Sequence, residues 1–139
     1  MTKFEALSSL DPKAASRLST ALIEMESQNV PYFISEAGRE LLTQCLYVLQ
    51  GSGLVPQSEL EWACKKAGIR PPGTQRISWT LKSKHIDKLA VDIYPLKDGK
   101  PDYNNQDMRI VEAMKRAGFD WGGDWVKTPD PPHFELGAA

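Results

Sequence analysis

The chain has 139 residues, 41% apolar and 25% charged, which suffices for one self-standing core and argues against a coiled coil, a collagen-like fibre or a disordered chain. Lys plus Arg number 17 and Asp plus Glu 18, a formal charge of −1 that lacks the broad basic footprint of a nucleic-acid-binding protein. No stretch approaches the roughly 20 apolar residues that span a bilayer and no secretory segment is visible, so stable membrane association is not expected.

Helical signals begin at Asp11, which can cap, with Pro12 in the first turn and Leu18, Ala21, Leu22 and Met25 at the helical period, until Asn29 and Pro31 end the run. Val30–Ser35 reads as a short strand. Leu41, Leu42, Cys45, Leu46 and Leu49 then mark one face of a second helix closed by Gly51. Ser58 and Glu61 have capping-box spacing for a third, with Leu60, Ala63, Cys64 and Ala67 as its buried stripe and Gly68 as its stop. Cys45 and Cys64 are the only cysteines; both fall at apolar positions and are expected to be reduced core residues.

After Pro71 and Pro72 the pattern changes. Leu89–Tyr94 is a strand candidate with Leu89, Val91 and Ile93 on one face and Asp92 on the other. A turn at Asp98-Gly99 leads to a last helix striped by Ile110, Ala113, Met114 and Ala117 and stopped by Gly118, followed by Trp121-Gly-Gly-Asp-Trp125 and a short strand from His133 to Leu136. The expected class is α+β: helices packed on a small antiparallel sheet, in a single domain spanning 1–139.

The chemistry concentrates around two histidines, each with acidic company. His85 precedes Asp92 by seven residues, and His133 follows Asp130 by three. His85, Asp92 and His133 would supply two nitrogens and one oxygen to a hydrolytic metal site that keeps a fourth position for water. Such donors also accept other divalent ions, so composition alone does not identify zinc. Pro131 and Pro132 hold the stretch after Asp130 in few conformations, and a carboxylate there could take a proton from water and pass it to a leaving amine. The bland reading is that each histidine forms a surface hydrogen-bonding pair with its neighbouring aspartate. No His-Glu-x-x-His, Gly-x-Ser-x-Gly or paired-cysteine motif is present.

The ordered strings Ser83-x-His85-x-x-x-x-Ala90-Val91-Asp92, Trp121-Gly-Gly-Asp-Trp125 and Asp130-x-x-His133-Phe134-Glu135 resemble the zinc D-alanyl-D-alanine carboxypeptidase and L-alanyl-D-glutamate peptidase family, which includes VanY-type and VanX-type enzymes and many phage endolysins. Glu36-Ala-Gly-Arg39, with Gln44 beyond it, resembles the family's Glu-x-x-Arg segment, so the similarity runs over about residues 30–136. The resemblance implies a hedgehog/D,D-peptidase-like fold, a Zn2+ ion on His85, Asp92 and His133, Asp130 as the acidic catalytic residue and Arg39 facing substrate. One departure stands out: the family usually has glycine three residues after its first histidine, and this chain has Lys88. That substitution implies a different turn or a cation near the metal.

Other residues stay open between two roles. Arg39 either steadies a substrate carboxylate or oxyanion or pairs with Glu36. Ser83 contacts substrate, orients His85 or only satisfies backbone. Trp121 and Trp125 wall a substrate cleft or pack in the core, the latter being the commoner use of tryptophan. Glu135 is a possible helper of His133, and Asp124 reads as a turn residue.

The function implied is hydrolysis of the L-alanyl-D-glutamate bond of peptidoglycan stem peptides by a monomeric, endolysin-like enzyme. It would have no separate cell-wall-binding domain and would be held in the host cytoplasm until the membrane is permeabilised. The alternatives are a D-alanyl-D-alanine carboxypeptidase or dipeptidase, and a non-catalytic wall-binding phage component that keeps the fold.

Overall fold

Strand β2 (Ala90–Lys97) is the axis of the molecule, and every other strand is placed by it directly or through a neighbour. The structure, a computed structural model, describes residues 1–137, so the expected boundary at 139 lies outside the described residues. β1 (Tyr32–Glu36) pairs with one side of β2 and β5 (His133–Glu135) with the other, while β4 (Asp120–Trp121) closes the order β1-β2-β5-β4. All pairings are antiparallel, and β3 (Lys100–Pro101) folds back on the end of β2 through the expected Asp98-Gly99 turn. The α+β architecture expected from the sequence is the one observed.

Period-two alternation along β2 decides which chemistry faces where. Val91 and Ile93 are fully buried with Ile34 and Phe134, against helices α2 (Pro12–Ser27) and α5 (Met108–Arg116). Helix α2 starts as expected, with the Asp11 carboxylate accepting from the Lys13 amide at 2.9 Å, and it buries Leu18, Leu22 and Met25. Helix α5 answers with Ile110, Val111 and Met114, capped by Asp107. Asp92 and Tyr94, the alternate positions of β2, are only half-buried and belong to the open face.

Several sequence expectations are corrected. A short helix, α1 (Lys3–Ser9), precedes the expected start; a Thr2–Glu5 capping box holds it, and Ala6 is its one buried residue, too little apolar periodicity to announce it. Helix α3 (Leu41–Leu49) does not bury the expected leucine face: Leu41 and Leu42 are exposed, Cys45 is half-buried, and the fully buried residue is Gln44. Polar bonding orients this helix, since the Gln44 amide donates to Ser78 Oγ at 2.8 Å and to the Thr80 carbonyl at 2.7 Å. Helix α4 (Gln57–Ala67) begins one residue before Ser58 with no side-chain cap, and buries Leu60 and Cys64 while Ala63 and Ala67 face solvent. Cys45 and Cys64 are both free thiols.

Gly38 connects β1 to the segment that carries Arg39, and it must be small. A Cβ there would run into the carbonyl of Ser9 at the end of α1, whose hydroxyl accepts from the Gly38 amide at 2.9 Å. Gly38→Ala is therefore expected to lower unfolding free energy by about 1–3 kcal/mol, the usual range for overpacking, as read from denaturant melts.

Candidate metal centre

The three residues singled out as ligands come from separate parts of the chain and meet on one row of the sheet. Asp92 on β2 stands directly opposite His133 on β5 and, across the bulge in β1, opposite Glu36. His85 arrives from the loop before β2, where the Ser83 hydroxyl accepts from the His85 amide at 3.2 Å and the His85 carbonyl accepts from the Arg39 amide at 2.9 Å. One donor atom from each of His85, Asp92 and His133 lies within 4.8 Å of the others.

Both rings are fixed by their far nitrogens. His85 Nδ1 is 2.8 Å from the Ala37 carbonyl, which can only accept, so Nδ1 donates there, and Nε2 lies 3.3 Å from Asp92 Oδ1. His133 uses the opposite pair: Nε2 lies 2.8 Å from Glu135 Oε1, and Nδ1 faces Asp92 Oδ1 at 3.2 Å. An imidazole held by a carbonyl or carboxylate behind it is the usual arrangement of a metal-ligating histidine, because the outer bond sets tautomer and orientation. Glu135 is thus the helper that its place two residues beyond His133 suggested. The Ala37 carbonyl had no sequence signal, since any residue supplies one.

Asp130 follows the 3-10 turn Gly122–Asp124 in the chain and is tied back to it, its amide donating to the Gly122 carbonyl at 2.9 Å. A Cβ on Gly122 would strike the Asp130 carbonyl and come within 3.0 Å of His133 Cβ, so the glycine lets this loop close on the site.

Comparison with known proteins fits this geometry. Residues 76–136 match the family model described as D-alanyl-D-alanine carboxypeptidase, a span that holds His85, Asp92, Asp130 and His133. That segment is similar to the VanY-like peptidase family. It is 42% identical over 40 residues to the peptidoglycan L-alanyl-D-glutamate endopeptidase CwlK of Bacillus subtilis, covering 29% of this chain and 22% of that protein. It is 32% identical over 63 residues to the L-alanyl-D-glutamate peptidase of Listeria phage A118, covering 42% of this chain and 22% of that relative. The matched segments thus span about a fifth of each curated relative. Among solved structures, the L-Ala D-Glu endopeptidase ChiX of Serratia marcescens superposes with a TM-score of 0.63 at 25% identity, covering 97% of this chain and 86% of that one. The vancomycin resistance D,D-pentapeptidase VanY, solved with Zn(II), shares the fold at a TM-score of 0.55 and 17% identity, covering 91% of this chain and 72% of its own.

A metal on these three donors can be tested against the distances. Two donors each about 2.1 Å from a tetrahedral ion lie about 3.4 Å apart; the separations of 3.3 and 3.2 Å between the imidazole nitrogens and Asp92 match that edge. The charge balance fits as well. Burial opposes ionisation of Asp92, but hydrogen bonds from His133 and His85 outweigh it and hold its carboxyl well below the usual carboxylate range. Burial opposes the charge on His133, yet Asp92 and Glu135 prevail and raise its pKa. Asp130 goes the other way: burial, reinforced by the Asp92 charge, pushes its carboxyl up.

Lys88 occupies the position where the family carries glycine, and its backbone adopts the glycine conformation, φ 62°. The left-handed turn is kept with lysine in place, and Lys88 Nζ lies 3.7 Å from Glu40. Arg39 is buried; its guanidinium pairs with both oxygens of Glu36, donates to Gln44 and lies over the Tyr47 ring at 4.7 Å. The alternative of a Glu36 ion pair is therefore realised, with two guanidinium hydrogens left over. Trp125 sits against His133 with ring centroids 5.0 Å apart and is partly exposed, whereas Trp121 is half-buried against the core and donates to the Pro131 carbonyl at 2.7 Å. Asp124 pairs with Lys115 at 2.7 Å.

Two outcomes follow from these contacts. Because a left-handed non-glycine residue costs about 1–2 kcal/mol, Lys88→Gly should leave stability unchanged or raise it by about 1 kcal/mol in denaturant melts, with zinc affinity within a few-fold of the parent. The second concerns pH. In chelator, the raised pKa of His133 stabilises below its unfolded value and is lost as pH rises through the folded one, while the depressed pKa of Asp92 stabilises above its unfolded value and is lost in acid. From these groups metal-free stability peaks between roughly pH 4 and 6.5. Zinc must displace the His133 proton, so the zinc-induced rise in Tm should grow steadily from pH 5.5 to 8, with affinity gaining up to about tenfold per unit below the His133 pKa. A pH-independent zinc increment would contradict this.

Proposed function

We propose that the chain is a zinc-dependent peptidoglycan endopeptidase that hydrolyses the L-alanyl-D-glutamate bond of stem peptides. The observation that carries this reading is the opposed anchoring of two imidazoles, His85 by the Ala37 carbonyl and His133 by Glu135, so that both free nitrogens address one oxygen of Asp92. The substrate assignment is supported by the two curated relatives and by ChiX, all named for that bond. His85, Asp92 and His133 would hold the metal. Zinc supplies Lewis acidity there, bringing the pKa of water from about 15.7 to about 7 and polarising a peptide carbonyl.

The remaining steps belong to the protein. Asp130 takes the proton of the attacking water and hands it to the departing amine, a role its raised pKa suits because a carboxyl nearer neutrality both accepts and returns protons. Arg39, immobilised by Glu36 and Gln44, offers its two remaining N–H groups to a substrate carboxylate or the developing oxyanion. Ser83 acts through the His85 amide, and Trp125 covers His133 from solvent. We infer a monomeric phage lytic enzyme, residues 1–139 forming one catalytic unit. It waits in the host cytoplasm and reaches the wall after the membrane is opened; among the described residues no helix is long and apolar enough to cross a membrane. The D-alanyl-D-alanine carboxypeptidase reading is favoured by the description of the matched family model.

Digestion of purified wall with zinc-loaded enzyme separates the two: new N-terminal D-glutamate identifies the endopeptidase and released D-alanine the carboxypeptidase. Asp130→Ala should keep zinc but lose about 10²–10⁴-fold in kcat, whereas His133→Ala should lose both zinc and turnover, measured by elemental analysis beside the wall assay. Wild-type rates in Asp130→Ala would exclude it as the acid-base group.

A further inference from the structure

A cavity of about 510 Å³, within the size range of small-ligand sites, opens beside Asp130 on the β5 flank of the metal row. Its walls include Tyr94, Tyr103, Asn104, Asn105, Trp121 and Pro131. Tyr94 lies two residues beyond Asp92 on β2, hence on the same face.

The walls are built to hold their shape. Tyr94 and Tyr103 meet edge to face with centroids 4.9 Å apart, and the Trp121 indole is pinned to the Pro131 carbonyl. Gln106 braces the floor, its amide donating at 2.9 Å both to the Ile93 carbonyl of β2 and to the Pro131 carbonyl. By contrast, the hydroxyls of Tyr94 and Tyr103 and the side-chain amide of Asn104 make no hydrogen bonds among the described residues.

The charge distribution narrows the occupant. Asp130 is the only formally charged residue of the lining, while Arg39 follows β1, the strand on the opposite side of β2 from β5. An anionic group gains nothing in this cavity. A neutral ring with apolar faces and amide and hydroxyl edges matches it, because the aromatic faces stack on the ring and the free amide and hydroxyls answer its polar edges. In peptidoglycan the amino group of the stem-peptide L-alanine is acylated by the lactyl group of N-acetylmuramic acid, whose carboxyl is thereby neutral. The carboxylates of the stem begin with that of D-glutamate itself, on the leaving side of the bond.

We propose that this cavity is the subsite for the N-acetylmuramyl sugar, which places the glycan on the Tyr94–Tyr103 side and the D-glutamyl side toward Arg39. The inference rests on the endopeptidase reading above and is tested separately from it. Two substrates with one scissile bond, N-acetylmuramyl-L-Ala-D-Glu-L-Lys and acetyl-L-Ala-D-Glu-L-Lys, are compared on zinc-loaded enzyme. The sugar-bearing substrate is expected to have a kcat/KM higher by about tenfold, and Tyr103→Ala, at a solvent-exposed position, should bring that ratio toward one. Equal kcat/KM in the parent enzyme, or a ratio untouched by Tyr103→Ala, overturns the proposal. In parallel, N-acetylmuramic acid methylamide is titrated into the zinc-loaded protein and the Trp121 indole and Tyr94 and Tyr103 ring signals are followed by NMR. If neither peptide is cleaved, shifts at these residues retain the sugar subsite and reject the peptidase reading, and their absence rejects the subsite as well.

Discussion

A single carboxylate oxygen organises this molecule. Asp92 Oδ1 faces a nitrogen from each histidine, and both rings are already committed elsewhere, to a backbone carbonyl and to Glu135. Three polar groups so placed in a largely buried pocket satisfy one another through hydrogen bonds and leave no buried side-chain polar atom without a partner among the described residues. The separations of 3.3 and 3.2 Å between each histidine and Asp92 also match a tetrahedral edge, so a cation would be held by rings whose outer bonds already orient them.

The sheet makes this convergence possible and the helices make it rigid. Antiparallel pairing sets Asp92 and His133 on one row although 41 residues separate them, and alternation sends Val91 and Ile93 into the core under α2 and α5. Any shift in the register of β2 would carry Asp92 away from His133 and expose the apolar partners, so stability and site geometry are one constraint. The loop after Trp121 closes on this row because Gly122 has no side chain to prevent it.

Around the row the molecule is divided by chemistry. On the β1 side, Arg39, Glu36 and Gln44 form a buried polar network tied to the Ser78–Thr80 loop, and this network rather than leucine burial orients α3. On the β5 side the walls are aromatic and amide-rich, with Asp130 as their only charge. A substrate that is neutral at one end and anionic at the other has one orientation in such a cleft.

Much of this was legible in the residues. The helices α2 and α5 and the strand around Asp92 follow from capping residues and from periods of 3.6 and 2.0, all local properties of the chain, while the spacing of ionisable groups raised His85, Asp92, His133 and Asp130 only as candidates, with Glu135 as a possible helper, and the family resemblance singled them out. Helix α1 escaped because a seven-residue helix with one buried alanine has no stripe, and the inner face of α3 was misread because periodicity scores apolarity whereas Gln44 is buried by long-range hydrogen bonds. Lys88 shows the same division: its identity suggested an altered turn, but the loop around it, held by the bond between the Asp11 amide and the Lys88 carbonyl, keeps a left-handed backbone. The sequence thus determined which groups are available and on which elements they lie. Which carbonyl holds His85, how Arg39 is clamped and what lines the cleft beside Asp130 were decided only in three dimensions, because those contacts join residues whose separation along the chain carries no information about distance.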